Sequence, residues 1–396
     1  MSIEPSAGPP PSTTKPWNNP AVRSIFFQAV LLIAVIGFGS YIFSNTAANL
    51  ENQGINTGFG FLETTAGFGI ITYLIDYSET SSYGRAFFVS LINTLLVAFS
   101  GIVAATIIGV IVGVARLSKN WLISRLAMVY VEIFRNIPLL LQIFFWYGAI
   151  LRPLPGPKNS INFADGVFVN NRGVYLPSAE YGDGFMLVIG AFAAAIAGVF
   201  FLKRWSKQRQ ESTGQQFPTF YAALGLLIGL PFLALIVTGF PVTYTLPELK
   251  GFNFVGGTVI TPEFVALWLS LSIYTASFIA EIVRAGIMAV SHGQTEAARA
   301  LGVRASPTLR LVVLPQALRV IIPPLSSQYL NLTKNSSLAT AIGYPDLVSV
   351  FTGTVLNQTG QAVEIISITM AVYLSISLGI SMFMNWYNAK MALVER

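Results

Sequence analysis

Eight runs of predominantly apolar residues divide the chain, each near or above the roughly 20 residues that carry a helix across a bilayer. They are Ser24 to Phe43, Ala86 to Val114, Trp121 to Ile150, Phe185 to Leu202, Thr219 to Phe240, Phe264 to Val290, Pro315 to Gly343 and Val363 to Tyr387. Each predicts a membrane-spanning helix. Two are interrupted: Glu132, Arg135 and Pro138 break the third, and Pro323, Pro324 and Lys334 break the seventh. A helix broken at membrane depth exposes backbone groups that must line a cavity, and transporters hold polar substrates at such places. The first 20 residues are rich in Pro, Ser and Thr, so residues 1–22 are predicted to form a disordered tail. The first apolar run is longer than the 7–15-residue core of a signal peptide and no A-x-A site follows it, which predicts an uncleaved helix. Residues 23–84 then comprise that helix and an outer loop, Asn45 to Arg85, carrying Glu51, Glu63, Asp76 and Glu79 around a Gly-rich, irregular middle.

Composition agrees with this pattern. Of 396 residues, 54% are hydrophobic and 10% charged, and the mean hydropathy is +0.65. A soluble chain is about 45–50% apolar and about 25% charged, so this one cannot surround one core with a water-facing surface. The fold class is an all-α polytopic membrane protein. The net charge of +6 does not point to nucleic acid, because the bases lie between apolar runs and not on one solvated face. They do set an orientation. With the N-terminus inside, the cytoplasmic segments hold Lys15 and Arg23, then Arg116, Lys119 and Arg125, then Lys203, Arg204, Lys207 and Arg209, then Arg299, Arg304, Arg310 and Arg319, and finally Lys390 and Arg396. The outer segments hold Arg85, Arg152, Lys158, Arg172 and Lys250. Fifteen against five puts both termini in the cytoplasm.

The chain has no cysteine and one histidine, His292. Disulfides, thiol catalysis, iron–sulfur clusters and the HExxH metal motif are excluded. A membrane-embedded enzyme would need His, Cys or clustered carboxylates, so no catalytic residue, metal or cofactor is assigned. Nor is there a G-x-x-x-x-G-K-[ST] loop to cradle a nucleotide. If ATP drives this protein, another polypeptide hydrolyses it.

The most specific stretch is Ser291 to Gln316, between the sixth and seventh runs. Thr295 is placed to cap a short helix through Ala297, Ala298, Ala300 and Leu301, with Gly302 as its left-handed stop. Ser306 and Pro307 suit the cap and first position of a second helix. The result is a cytoplasmic helix–turn–helix elbow. A DNA-binding reading fails because two membrane spans flank it directly and leave no room for a soluble domain to sit on half-sites.

Glu296-Ala297-Ala298, three residues, Gly302, nine residues, Val312, one residue and Leu314-Pro315 resemble the EAA loop of ABC importer permeases, with Val for the usual Ile. Three further segments are similar to the polar amino-acid branch of that family: Glu132 to Gln142, Ala280 to Ile287 and Lys334 to Leu338. The added first span and an insertion at about 151–261 look most like the larger permease subunit of general L-amino-acid transport systems. This resemblance implies a five-helix type-1 core within residues 85–390, a coupling loop at 291–315 and a bacterial inner-membrane location. It also implies a separate ATP-binding subunit dimer, a second homologous permease, a periplasmic binding protein and an L-amino-acid substrate. Membrane lipid is the remaining expected partner. Glu296, Ala297, Ala298, Gly302, Leu314 and Pro315 are the coupling candidates; a short helix with Ala and Leu on one side and charges beside them suits a groove on a partner.

Charges at membrane depth cost about 2.5–3.5 kcal/mol each on insertion scales and so need a partner or a watery cavity. Glu281 and Arg284, at i and i+3, form either a self-satisfying pair or a site where Glu281 meets a substrate ammonium. Glu132 and Arg135 repeat the spacing near the cytoplasmic end, where pairing or a coupling contact is expected. Lys334, Asn335, Ser336 and Ser337, with Glu281 opposite, are the substrate-path candidates. The outward Leu151 to Asp183 is a candidate contact for the binding protein. Gly109 and Gly113, and Gly225 and Gly229, predict close helix contacts, and Asn93 and Gln142 interhelical hydrogen bonds. The alternative function, an ion-coupled secondary amino-acid transporter, predicts an inverted repeat with paired broken helices; no second half echoes the one at Pro323-Pro324.

Overall fold

The computed structural model describes residues 20–52 and 58–391; nearly all of the expected tail 1–22, with Lys15, and Arg396 at the other end lie outside them. Among the described residues, seven helices are long and apolar enough to span a bilayer, and a bent pair raises this to eight. They are α1 (Pro20–Asn52), α2 (Tyr83–Ala115), the bent pair α3 (Trp121–Asn136) and α4 (Leu139–Leu151), α5 (Phe185–Thr213), α6 (Thr219–Val237), α7 (Pro262–Met288), α9 (Ala305–Ile342) and α11 (Ala362–Met391). Between them lie the short α8 (His292–Ala300) and α10 (348–359). These helices occupy the eight predicted runs.

The α2–α7 seam is the most extensive helix pair and the centre of the core. Val97, Ala105, Leu267, Leu271, Ala276 and Ile279 are fully buried there or beside it. In lipid there is no hydrophobic drive between helices, so association rests on close approach through small residues. A Cβ on Gly109 would lie 2.6 Å from Cβ of Ile279, and one on Gly113 2.7 Å from the Ala280 carbonyl. The second glycine pair does not behave this way. A Cβ on Gly225 or Gly229 would meet nothing within 4 Å, and the α5–α6 hairpin is instead tight at Gly198, where a Cβ would lie 2.6 Å from Leu226 Cδ2.

Broken-helix geometry appears in the third span and not in the seventh. Between α3 and α4 the axis bends by 105°. Ile137 is extended (φ −94°, ψ 126°), as steric conflict with Pro138 requires. Buried Gln142 donates to the carbonyls of Phe134 (3.0 Å) and Ile137 (2.9 Å), satisfying acceptors that the break frees. Gln142, on α4, is thus bonded back to α3 and braces the bend between the two helices, an interhelical bond as expected. Asn93 does tie distant segments, donating to the carbonyls of Thr72 (2.7 Å) and Pro345 (3.0 Å). In α9, by contrast, both Pro323 and Pro324 lie within continuous helix. The missing N–H groups leave carbonyls without i+4 donors, but burial of Ile321, Ile322 and Leu325 against neighbours holds the segment straight through, a tolerance common in membrane helices. Regular α-helix gives way to a π-helical stretch at Leu309–Val313 and to a 3₁₀ turn at Ser336–Ile342, the latter closed by Gly343 at φ +76°.

The membrane part is all helical, and the structure as a whole is 73% helical, but the insertion adds short strands that the apolar runs did not predict. They are β1 (Ile161–Ala164), β2 (Val167–Asn170), β3 (Gly173–Leu176), β4 (Ser178–Tyr181), β5 (Val242–Thr245), β6 (Glu248–Lys250), β7 (Asn253–Val255) and β8 (Thr258–Ile260). One antiparallel sheet runs β1-β2-β3-β8, with Tyr175 opposite Val259. The β4–β5 pair brackets the α5–α6 hairpin, and β6 pairs with β7. β8 leads into Thr261, whose side chain accepts from Phe264 N–H (3.4 Å) to cap α7, with Pro262 at its first position. The insertion thus runs through β8 directly into the N-terminal end of α7. Its neighbour, the outer loop, is irregular apart from one turn at Phe59–Glu63, and its Phe61 and Ile70 pack with Val89, Leu347, Phe351 and Ile365.

Candidate coupling elbow and translocation path

α8 starts earlier than the predicted cap. Ser291, extended at φ −56° and ψ 134°, precedes it, and Thr295 lies inside the helix. The cause is an added first turn, closed by Gln294 N–H on the Ser291 carbonyl (3.0 Å). Gly302 is the left-handed stop as predicted, at φ +77°; Val303 N–H returns to the Ala298 carbonyl (3.0 Å). The next helix also starts earlier, after Arg304, so Ser306 is not its cap and Pro307 is its third residue. Proline still fits there, because first-turn N–H groups have no partner within the helix.

The six motif residues divide by role. Ala298 is buried against the second helix. Glu296 and Ala297 face outward, and Gly302 makes the turn. Leu314 and Pro315 lie within the shaft of α9 and not at its entry, tied back to α8 by Gln316 Nε2 on Gln294 Oε1 (3.4 Å). Next to the turn, Leu301 is 83% exposed. A leucine this bare, beside Ala297 and Ala300 and ringed by Glu296, Arg299 and Arg304, is a small apolar knob with a polar rim.

At the elbow ends of α2 and α7, Glu281 is held by two guanidinium groups. Arg284 Nη2 reaches it at 2.5 Å, and Arg116, the residue capping α2, makes the second salt bridge. All three are partly buried, Arg116 most. Glu281 is therefore a cross-link between α2 and α7. It does not stand opposite Lys334: Gly101 meets Leu332 near Ser272, whereas Gly286 meets Ile321 and Ala317. The nine residues from Ser272 to Glu281 set the two sites about 13 Å apart along the bundle.

Lys334 lies in the last regular turn of α9, which ends at Asn335, two residues beyond Leu332, whose position packs on Gly101 in the middle of α2. It is exposed and has no ion-pair partner among the described residues. Asn335 is half-buried. Ser336 is fully buried and donates to the Thr333 carbonyl (2.8 Å), while Ser337 donates to that of Lys334 (2.7 Å). Glu132 is exposed and keeps company with Asn136, while Arg135 lies 5.1 Å over the Phe278 ring, not on Glu132.

Sequence reasoning missed Asp346, in the connection between α9 and α11. Its carboxyl is fully buried, accepting from Ser349 N–H (2.8 Å) and Tyr373 Oη–H (3.2 Å). Beside it, Leu347 N–H donates to Thr94 Oγ1 (2.9 Å) and Tyr344 Oη–H to the Asn93 carbonyl (3.1 Å). Burial pushes the Asp346 carboxyl up to about 7. The available signal was an Asp three residues before Ser349 at the start of a helix, the pattern of an N-cap.

A set of up to eight membrane-length helices among the described residues defines an integral, multi-span membrane protein. Residues 105–392 match the family of binding-protein-dependent transport system inner membrane components. The chain belongs to this family. It is 56% identical over 378 residues to the putative amino-acid ABC transporter permease protein YhdX of Escherichia coli (strain K12), covering 96% of each chain. It is 54% identical to the general L-amino acid transport system permease protein AapQ of Rhizobium johnstonii, covering 96% of this chain and 94% of that one. The glutamate/glutamine/aspartate/asparagine transport system permease protein BztB of Rhodobacter capsulatus is 45% identical over 407 residues, 94% of this chain and 95% of that one. Membership decides between the two functional readings, for a permease component and against a secondary transporter.

Proposed function

We propose that this chain is the permease subunit of an ABC importer for L-amino acids. It pairs with a second, related permease to form one translocation path, receives substrate from a periplasmic binding protein and is driven by a separate ATPase dimer. The observation that carries this reading is near-full-length identity of 54–56% to amino-acid permeases, in a chain whose elbow leaves Leu301 bare beside the EAA residues. The ATPase engages Glu296, Ala297 and Leu301, while Gly302 sets the turn and Leu314 and Pro315 pass the movement into α9. Both termini lie in the cytoplasm, as the fifteen-to-five distribution of bases supports.

In the path, Lys334 has no ion-pair partner among the described residues and lies near mid-depth, where transporters bind substrate. It receives the substrate carboxylate, with Asn335, Ser336 and Ser337 alongside. Glu281 remains a candidate only when it leaves its two arginines. Uptake of radiolabelled glutamate and alanine, in cells carrying the partner subunits, tests the assignment. Ser337→Ala is expected to change rate or substrate preference, and Glu281→Gln to change rate with preference kept. Wild-type rates and preference for Ser337→Ala would remove these residues from the path.

A further inference from the structure

The structure assigns a binding site for an anionic phospholipid to a crevice between α2 and α11, at the elbow end of the bundle. This cavity of about 380 Å³ has Val283 and Ile321, both nearly fully buried, as its floor. Its walls, Val110 and Val114 on α2 and Phe383 and Tyr387 on α11, keep between 37% and 60% of their surface exposed. The crevice is therefore open sideways. Along α9 it runs from Leu314 to Tyr329, fifteen residues or about 22 Å. One leaflet of a bilayer holds about 15 Å of hydrocarbon, so an acyl chain has room for its length. The inner end is closed by Tyr329 Oη and Thr106 Oγ1 at 2.9 Å, hydroxyls that satisfy each other and ask for no polar ligand.

Charge at the other end identifies the occupant. Arg310 lies four residues before Leu314 on α9, and Lys390 three residues after Tyr387 on α11. Lys390 and Tyr387, three apart on α11, share a helix face, and Arg310 lies in the π-helical turn Leu309–Val313 just before Leu314, so both cations fall beyond the same end of the crevice. Both side chains are exposed, and Lys390 Nζ is held 5.1 Å over the Trp386 ring. Two cations at the headgroup level beside an aromatic ring attract a phosphate. The neighbouring Arg116 and Arg284 are occupied by Glu281 and add no free charge. An acyl-chain slot with a dibasic mouth matches phosphatidylglycerol better than a zwitterionic lipid or a protein helix.

The test uses the complete transporter, purified in mild detergent and examined by native mass spectrometry with phosphatidylglycerol and phosphatidylethanolamine supplied equally. The wild type is expected to retain phosphatidylglycerol preferentially. Arg310→Gln and Lys390→Gln, both on exposed positions that leave the fold intact, are each expected to lower that preference by roughly fivefold. Leu318→Trp, which fills the slot, is expected to displace the lipid whatever its headgroup. A photo-reactive p-benzoylphenylalanine at Phe383 is expected to cross-link to lipid in native membranes. Cross-linking to another transporter subunit, or a headgroup preference unchanged in both Gln variants, would overturn the proposal.

Discussion

Leu301 is the sharpest place to perturb the coupling elbow. Among the described residues little covers it: 83% of its surface is open, directly before the Gly302 stop. Burying a leucine side chain fully is worth about 1.5–3 kcal/mol, and little of it is buried already, so most of that amount is available to a docking partner. Truncation by Leu301→Ala keeps the backbone and one methyl group. It is expected to cost about 1–2 kcal/mol of association, roughly 5- to 30-fold in Kd. Leu301→Asp, which would bury a charge without a partner, costs more. Neither substitution touches the permease's own packing, so its melting temperature stays unchanged, within about 0.5 kcal/mol of stability. The assay is titration of the purified permease pair with the ATPase subunit, followed by association and by stimulated ATP hydrolysis. Wild-type affinity for Leu301→Asp refutes the docking role. A lower melting temperature for the permease alone refutes it too, since it would show that Leu301 supports its own fold.

Three further outcomes follow from the packing and charges. Gly109→Ala places a Cβ 2.6 Å from Ile279 and should destabilise by about 1–3 kcal/mol, seen as a lower melting temperature in detergent, whereas Gly225→Ala, in open space, should not. Glu281→Gln leaves Arg116 and Arg284 facing each other without a carboxylate and should cost about 1–2 kcal/mol; a thermal-stability double-mutant cycle with Arg116→Gln should recover part of it, and strict additivity would show the pair is uncoupled. The Asp346 carboxyl, ordinarily near 3.8, is raised to about 7 by burial, so between these values the folded protein holds a proton that the unfolded chain lacks. Stability therefore falls as pH rises from about 4 to about 7, by on the order of 4 kcal/mol at most, and Asp346→Asn should flatten that slope in melting curves across the range.

Much of this architecture was legible because the bilayer simplifies the code. A run of about 20 apolar residues has one reading, and all eight runs became spans or a bent pair. Seven positions at fixed spacing likewise located the elbow. What stayed hidden depended on neighbours distant in the chain. Pro138 and Pro323-Pro324 look alike locally, yet Gln142 braces a true break at the first, while buried Ile321, Ile322 and Leu325 carry the helix through the second. Arg116 lies 165 residues from Glu281, so only the i, i+3 partner Arg284 was visible. The strands of the insertion are too short to form apolar runs. Their signal was the Asp165-Gly166 pair between two β-prone stretches, with Gly166 at φ +79°, a hairpin turn. At the elbow, the first turn of α8 formed on backbone hydrogen bonds, which side-chain capping preferences do not report.

The central claim is that this chain moves amino acids only as part of an ATP-driven assembly. The most direct measurement is amino-acid uptake into proteoliposomes holding this permease, its partner permease and the ATPase, with the binding protein outside and ATP inside. Uptake that requires both ATP and binding protein, and that persists when ionophores collapse every ion gradient, is the predicted result. Uptake by this chain without the ATPase, following an ion gradient, would contradict the account.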